Sequence, residues 1–137
     1  MATSRGLRNN NPLNIRINKD VFIGEKIPST DTAFKQFKDM AHGYRAAFVT
    51  LATYNDRGYN TIHKIISKWA PPNENNTNGY MDKVAKWSGV DMFKILNKKG
   101  NKEEYIAIVA AMSRVENGVV ANINEVRDGF ALQSKLT

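Results

Sequence analysis

The chain has 137 residues, 42% of them hydrophobic and 24% charged, an ordinary globular mixture that excludes a disordered tail, a fibre and two independently folded domains. Without a single cysteine it can hold no disulfide, thiol nucleophile or thiolate-bound metal. A formal net charge of +7 implies attraction to a polyanion, but the basic residues are scattered and no zinc-finger, phosphate-loop or basic-zipper motif occurs, so no nucleic-acid partner is expected.

Met1 to Asn11 is polar and lacks the apolar core of a secretory signal. No later apolar run approaches the roughly 20 residues needed to span a bilayer, so neither an export signal nor a membrane span is expected. Leu13, Ile15 and Ile17 alternate with Asn14, Arg16 and Asn18, Lys19-Asp20 punctuates, and Val21-Phe22-Ile23 follows. This pattern predicts a short hairpin, joined by a third strand near Ala33 to Phe37. From Tyr44 the period becomes helical, with Ala47, Phe48 and Leu51 on the same face and Gly58 as a stop. Ile62, Ile65, Ile66 and Trp69 form a second stripe, capped by Asn60 or Thr61 and ended by Pro71-Pro72.

A polar, Asn-rich loop from Pro71 to Gly79 precedes a third helix that begins near Thr77, carries Tyr80, Met81, Val84 and Ala85, and ends at Gly89. A helical turn is expected from Asp91 to Leu96. Asn101 and Glu104 have capping-box spacing before a longer helix lined by Tyr105, Ile108, Val109 and Met112, which Gly118 closes. A last helix is expected from about Ile123 to Leu136, anchored by Val126 and Phe130. The sum is one mostly helical α+β domain over 1–137 with a small β-hairpin near the N-terminus.

Glu116 continues the apolar stripe, four residues after Met112 and seven after Val109, which places a carboxylate where the period predicts a core side chain. Removal from water and the negative end of the helix dipole both favour a retained proton there. A neutral acid is what glycoside cleavage requires, because the leaving oxygen departs poorly until protonated. On spacing alone the competing outcome is a frayed helix end, with Glu116 in solvent or paired with Arg114 or Arg127. His42 and His63 stand apart from any ligand set at metal spacing, so neither metal nor cofactor is expected. Ser113 lacks a nucleophile setting.

Several phrases then converge. Arg8-Asn9-Asn10-Asn11-Pro12-Leu13-Asn14-Ile15-Arg16 resembles the Asn-rich phrase of cell-wall glucosaminidases, and Phe34-Lys35-Gln36-Phe37 followed by Gly43-Tyr44-Arg45-Ala46 resembles their aromatic strand and next helix. Tyr54-Asn55 is similar to the Ala-Tyr-Asn motif of lytic transglycosylases. Thr77-Asn78-Gly79-Tyr80-Met81 is similar to their Glu-Thr-x-x-Tyr-Val phrase, with Asn76 in place of the glutamate. Ala110 to Gly118 resembles the helix ending in the catalytic Glu-Ser-Gly, with Asn117 for the serine. In those families this helix comes first and here it comes last, an order that resembles a circular permutation. The chain as a whole resembles small lysozyme-like proteins of phages and prophages.

The resemblance implies a lysozyme-like domain that cleaves the glycan strands of peptidoglycan between N-acetylmuramic acid and N-acetylglucosamine, as a muramidase or lytic transglycosylase. Glu116 would be the general acid and Glu25, after the hairpin, a second carboxylate. Asn10, Asn14, Tyr54, Asn55, Thr77 and Tyr80 would bind substrate. Glu74 is read as a helix-capping loop residue. Trp69 is read as core. The implied protein is a monomer made in the cytoplasm that acts on the wall after release or from within a phage particle. The alternative is a non-catalytic virion or wall-binding module on the same fold.

Overall fold

The computed structural model describes residues 3–73 and 75–136, with side chains described as far as residue 133. Six helices and one two-stranded sheet make up the regular structure of this part. Helix α1 (Arg5–Arg8) is one turn capped by Ser4, whose hydroxyl accepts from the Leu7 amide. Strands β1 (Glu25–Lys26) and β2 (Gln36–Phe37) pair antiparallel, Glu25 opposite Phe37 and Lys26 opposite Gln36. The helices α2 (Met40–Asp56), α3 (Ile62–Trp69), α4 (Thr77–Ser88), α5 (Lys102–Asn117) and α6 (Ile123–Leu136) follow.

The hairpin therefore exists, but it lies further along the chain than alternation predicts. Residues 13–23 contribute only one isolated bridge, Arg16 to Phe34. Leu13 and Ile15 are buried as expected, whereas Ile17 is 47% exposed. The physical reason is competition from asparagine side chains. The Asn11 amide donates to the Ile15 and Lys35 carbonyls and accepts from the Ile15 amide. Asn14 sits at φ 54°, in the left-handed region that interrupts a pleat.

The helices follow their stripes. Asp39 caps α2 by accepting from the His42 amide, and Thr61 caps α3 by accepting from Lys64. Asn76 caps α4 by accepting from the Gly79 amide, and Gly89 and Gly118 end α4 and α5 at φ 72° and 74°. Two expectations are corrected. Asn101 precedes α5 without capping it, because its side-chain oxygen turns back to accept from the Asn97 amide. Asp91 to Leu96 is not a helical turn: Asp91 accepts from the Phe93 amide, and the Met92 carbonyl and Leu96 amide bond to His63 and Asn60. That segment is strung along α3 instead.

Helix α5 is the centre. Tyr105, Ile106, Ile108, Val109, Ala111, Met112 and Ser113 are all buried on it, more than one stripe, as a helix surrounded by others requires. It packs against α1, α2, α4 and α6. The main core runs from Leu13 through Tyr44, Leu51, Ile62, Ile66, Val84 and Met112 to Val126, and a smaller cluster of Ile15, Phe37 and Ala46 sits under the sheet. No helix among the described residues is long and apolar enough to cross a membrane.

Helix α6 lies along α2, with Phe130 edge-on to Phe48 at 5.1 Å between ring centroids. At their closest approach a Cβ on Gly129 would stand 2.5 Å from Tyr44 Cβ, 2.8 Å from the Ala41 oxygen and 2.9 Å from the Arg45 nitrogen. Two of those atoms are backbone, so the helices must separate. Gly129→Ala is expected to destabilise the fold by about 1–3 kcal/mol in a urea titration despite alanine's higher helix propensity. A neutral or stabilised variant would contradict this packing.

Candidate functional site

At the C-terminal end of α5 the Glu116 carboxylate receives two hydrogen bonds, one from the N-terminal segment and one from α4. The Asn14 amide donates to Oε1 and the Tyr80 hydroxyl to Oε2, each at 2.9 Å. Neither Arg114 nor Arg127 pairs with it: Arg114 stacks on Trp87 at 3.9 Å, and Arg127 binds Glu103. Tyr80 is buried on α4, and burial first, then the Glu116 charge, raises its hydroxyl pKa well above the ordinary value. The hydroxyl therefore keeps its proton and acts as a donor.

The approach of Asn14 rests on a polar seam. Ser4 Oγ donates to Asn117 Oδ1 at 2.6 Å, and Asn117 Nδ2 donates to the Pro12 carbonyl at 2.8 Å and the Ser113 carbonyl at 2.9 Å. Gly6 permits this contact, since a Cβ there would meet Asn117 Oδ1 at 2.6 Å, the Asn11 oxygen at 2.8 Å and Asn14 Oδ1 at 2.9 Å. Arg5 grips Asp31 with two hydrogen bonds of 2.7 Å, and Asn9 donates to the same carboxylate. These bonds anchor α1.

Glu116 lines an open cleft of about 650 Å³. The N-terminal segment forms one wall with Asn14, Arg16, Asn18, Asp20, Phe22 and Phe34. The other wall is made by Thr50, Thr53, Tyr54 and Arg57 of α2 and its C-cap, together with Trp69 of α3. Tyr54 packs its ring against Tyr59 and Trp69, with centroids 5.7 and 6.4 Å away. Among the described residues no group of acidic or histidine side chains is arranged to hold a metal ion.

The structure thus brings Glu116, Asn14, Tyr80 and Tyr54 to one place, with Tyr80 rather than Tyr54 reaching the carboxylate. The other expected site residues lie elsewhere. Glu25 forms a salt bridge of 3.0 Å with the fully buried Lys35 and accepts from the Phe22 amide; the pair supports the cleft wall, and Glu25 does not line the cleft. The Asn10 amide donates to the Phe37 carbonyl. Asn55 donates to the Leu96 carbonyl and the Tyr105 hydroxyl, which fastens the α4–α5 connection to α2. Thr77 is buried, its hydroxyl bonded to the Ala70 carbonyl. Glu74 lies outside the described residues.

Sequence reading does not single out Arg16, Asp20 or Arg57 as cleft residues, Asp20 falling in turn punctuation. Trp69 packs against the core as its stripe predicts and also lines the cleft. A usable signal was present on α2, where Val49, Thr53 and Arg57, and Thr50 and Tyr54, fall four apart on one mixed face that lines the cleft.

Two measurements check this geometry. Tyr80→Phe keeps the buried ring and removes the donor to a carboxylate, so a loss of about 1.5–3 kcal/mol is expected in chemical denaturation; an unchanged midpoint would mean that the contact does not form in solution. The hydrogen bond from Arg5, then those from the Ala33 and Phe34 amides, hold the Asp31 pKa far below the ordinary carboxylate range. A lowered folded-state pKa contributes stability that is complete above the unfolded value of about 3.9 and is lost as pH falls towards the folded one. Asp31→Asn should therefore lower the Tm at pH 7, and the gap to the parent should narrow only below about pH 4. A gap independent of pH would contradict the ion pair.

No family model matches the chain. Over 132 residues, 93% of its length, it is 40% identical to Protein P5 of Pseudoalteromonas phage PM2, of which the match covers 80%. With that identity over nearly its whole length, the chain belongs to the same family as this phage protein.

Proposed function

We propose that this protein is a peptidoglycan-cleaving glycosidase of lysozyme-like fold that uses Glu116 as its general acid on the bond between N-acetylmuramic acid and N-acetylglucosamine. The observation that carries the reading is a carboxylate at the end of the core helix, lining an open cleft and fixed by two donors. Asn14 and Tyr80 each occupy one lone pair on a different oxygen, so the carboxyl plane is set while each oxygen keeps a second lone pair. A proton carried on one of these reaches the glycosidic oxygen of a sugar chain in the cleft, and the bond breaks through an oxocarbenium-like state. Asp20, which lines the same cleft, would be the carboxylate that positions water for hydrolysis. If it does not, the muramyl 6-hydroxyl closes on the cation and leaves an anhydro end. The aromatic faces of Tyr54 and Trp69 suit sugar stacking. Kinship with a phage protein agrees with an enzyme made in the cytoplasm that meets the wall after release or from a virion.

Glu116→Gln tests the acid. The amide oxygen keeps the donor from Asn14, and the amide nitrogen can donate to the Tyr80 oxygen, so the fold is retained while the transferable proton is lost. Release of soluble muropeptides from labelled sacculi is expected to fall about 10²–10⁴-fold. Mass spectrometry of the parent's products distinguishes a reducing end from an anhydro end by one water, and Asp20→Asn should shift that ratio towards the anhydro form. Undiminished release by Glu116→Gln would overturn the assignment. A parent protein that sediments with sacculi but releases nothing would instead establish a wall-binding module.

A further inference from the structure

The cleft walls carry two cations that the fold does not use. Arg16 places its guanidinium carbon 5.4 Å from the centroid of the Phe34 ring, and both residues line the cleft. The same ring carries Arg5 at 4.6 Å, but Arg5 is occupied by Asp31. Arg57, on the facing wall, is the C-cap of α2, and its charge acts on the neighbouring Tyr54 hydroxyl, lowering a pKa that burial otherwise raises. Among the described residues neither arginine forms a salt bridge: Asp20 lines the same cleft yet pairs with neither, and the Asp56 carboxylate beside Arg57 is taken by Lys98 at 2.7 Å. A cation at a helix C-terminus commonly complements the dipole, which accounts for Arg57 alone. It does not account for a second guanidinium on the opposite wall.

We infer that Arg16 and Arg57 form a carboxylate-recognition pair, so that the cleft selects a glycan bearing acidic peptide substituents over a neutral glycan of the same backbone. This rests on the glycan-cleaving reading and names the substrate within it. A planar guanidinium matches a carboxylate with two parallel hydrogen bonds. Peptide stems hung on alternate sugars supply carboxylates along the chain, the chemistry that two guanidiniums lining one cleft without an ion pair would recognise. Asp20, a carboxylate lining the same cleft, disfavours a continuous phosphodiester backbone there but tolerates isolated carboxylates.

Binding is read on Glu116→Gln, so that no turnover intervenes, by calorimetry with three probes: a peptide-bearing disaccharide dimer, the same dimer with its peptide carboxyls converted to primary amides, and chitotetraose. The carboxylate-bearing probe is expected to bind about tenfold or more tightly than either carboxylate-free one, with the preference shrinking in high salt. In Arg16→Gln the ratio should fall about threefold, in Arg57→Gln likewise, and in the double variant it should approach one. Equal affinity for the three probes, or a preference that survives the double variant, overturns the pair. These outcomes are separate from catalysis: sacculi cleaved with no binding preference would refute the pair and leave the glycosidase intact. A preference without any cleavage would refute the glycosidase and leave the pair.

Discussion

Asn14 and Glu116 are 102 positions apart, and the bond between them forms because residues 4–14 close over the end of α5. The contacts that close it are short and polar: Ser4 to Asn117, Asn117 to the Pro12 carbonyl, and the gap at Gly6 that lets the two segments touch. Closing so long a loop is entropically unfavourable, though the cost grows only with the logarithm of its length. A few hydrogen bonds of about 1 kcal/mol each can hold the seam because the helical core has already fixed the end of α5. The order of dependence is clear. Burial fixes α5, α5 presents Asn117 and Glu116, and Leu13, itself in the main core, helps set the N-terminal segment beside them.

The cleft's N-terminal wall has a second support. Lys35 is fully buried, and its ammonium donates to both Glu25 oxygens and to the Asp20 carbonyl while facing the Phe22 ring at 5.6 Å. A buried pair of this kind adds little net stability over apolar packing, but removing one partner leaves an uncompensated charge at a cost of about 3–5 kcal/mol. Its contribution is positional, since Asp20 and Phe22 line the cleft and both are tied to it. Glu25 is therefore occupied by the scaffold, which is why a carboxylate that looked available for chemistry in the sequence is not.

Periodicity made the helices legible because each buries a stripe. The C-terminal helix runs over Ile123–Leu136, and Val126 and Phe130 anchor it. The same rule singled out Glu116, an acid where the stripe asks for an apolar residue. What remained hidden was whatever depends on side chains bonding to backbone. Asn11 replaces a strand ladder with its own amide, and Asn55 and Thr77 sit in motif-like phrases yet spend their hydrogen bonds on carbonyls. Short polar residues in irregular chain do this without any spacing to betray it. Asp20 and Arg57 were invisible for a different reason, since their role comes from which walls the fold brings together.

The site's logic lies in which groups can change charge. The Asn14 amide cannot titrate, and Tyr80, with its pKa pushed up by burial and by the Glu116 charge, keeps its proton throughout the neutral range. Both partners of Glu116 are thus fixed donors, and neither can take over its proton. On the proposed reading, the glutamate is the one member of the trio left to give a proton to the glycan. Glu116 stands at the end of a helix set in the core by Val109 and Met112, so its backbone is fixed while its carboxylate opens onto the cleft. A mobile loop would have offered the same carboxylate with less control over the direction of its lone pairs, and direction is what transfer to a single oxygen requires.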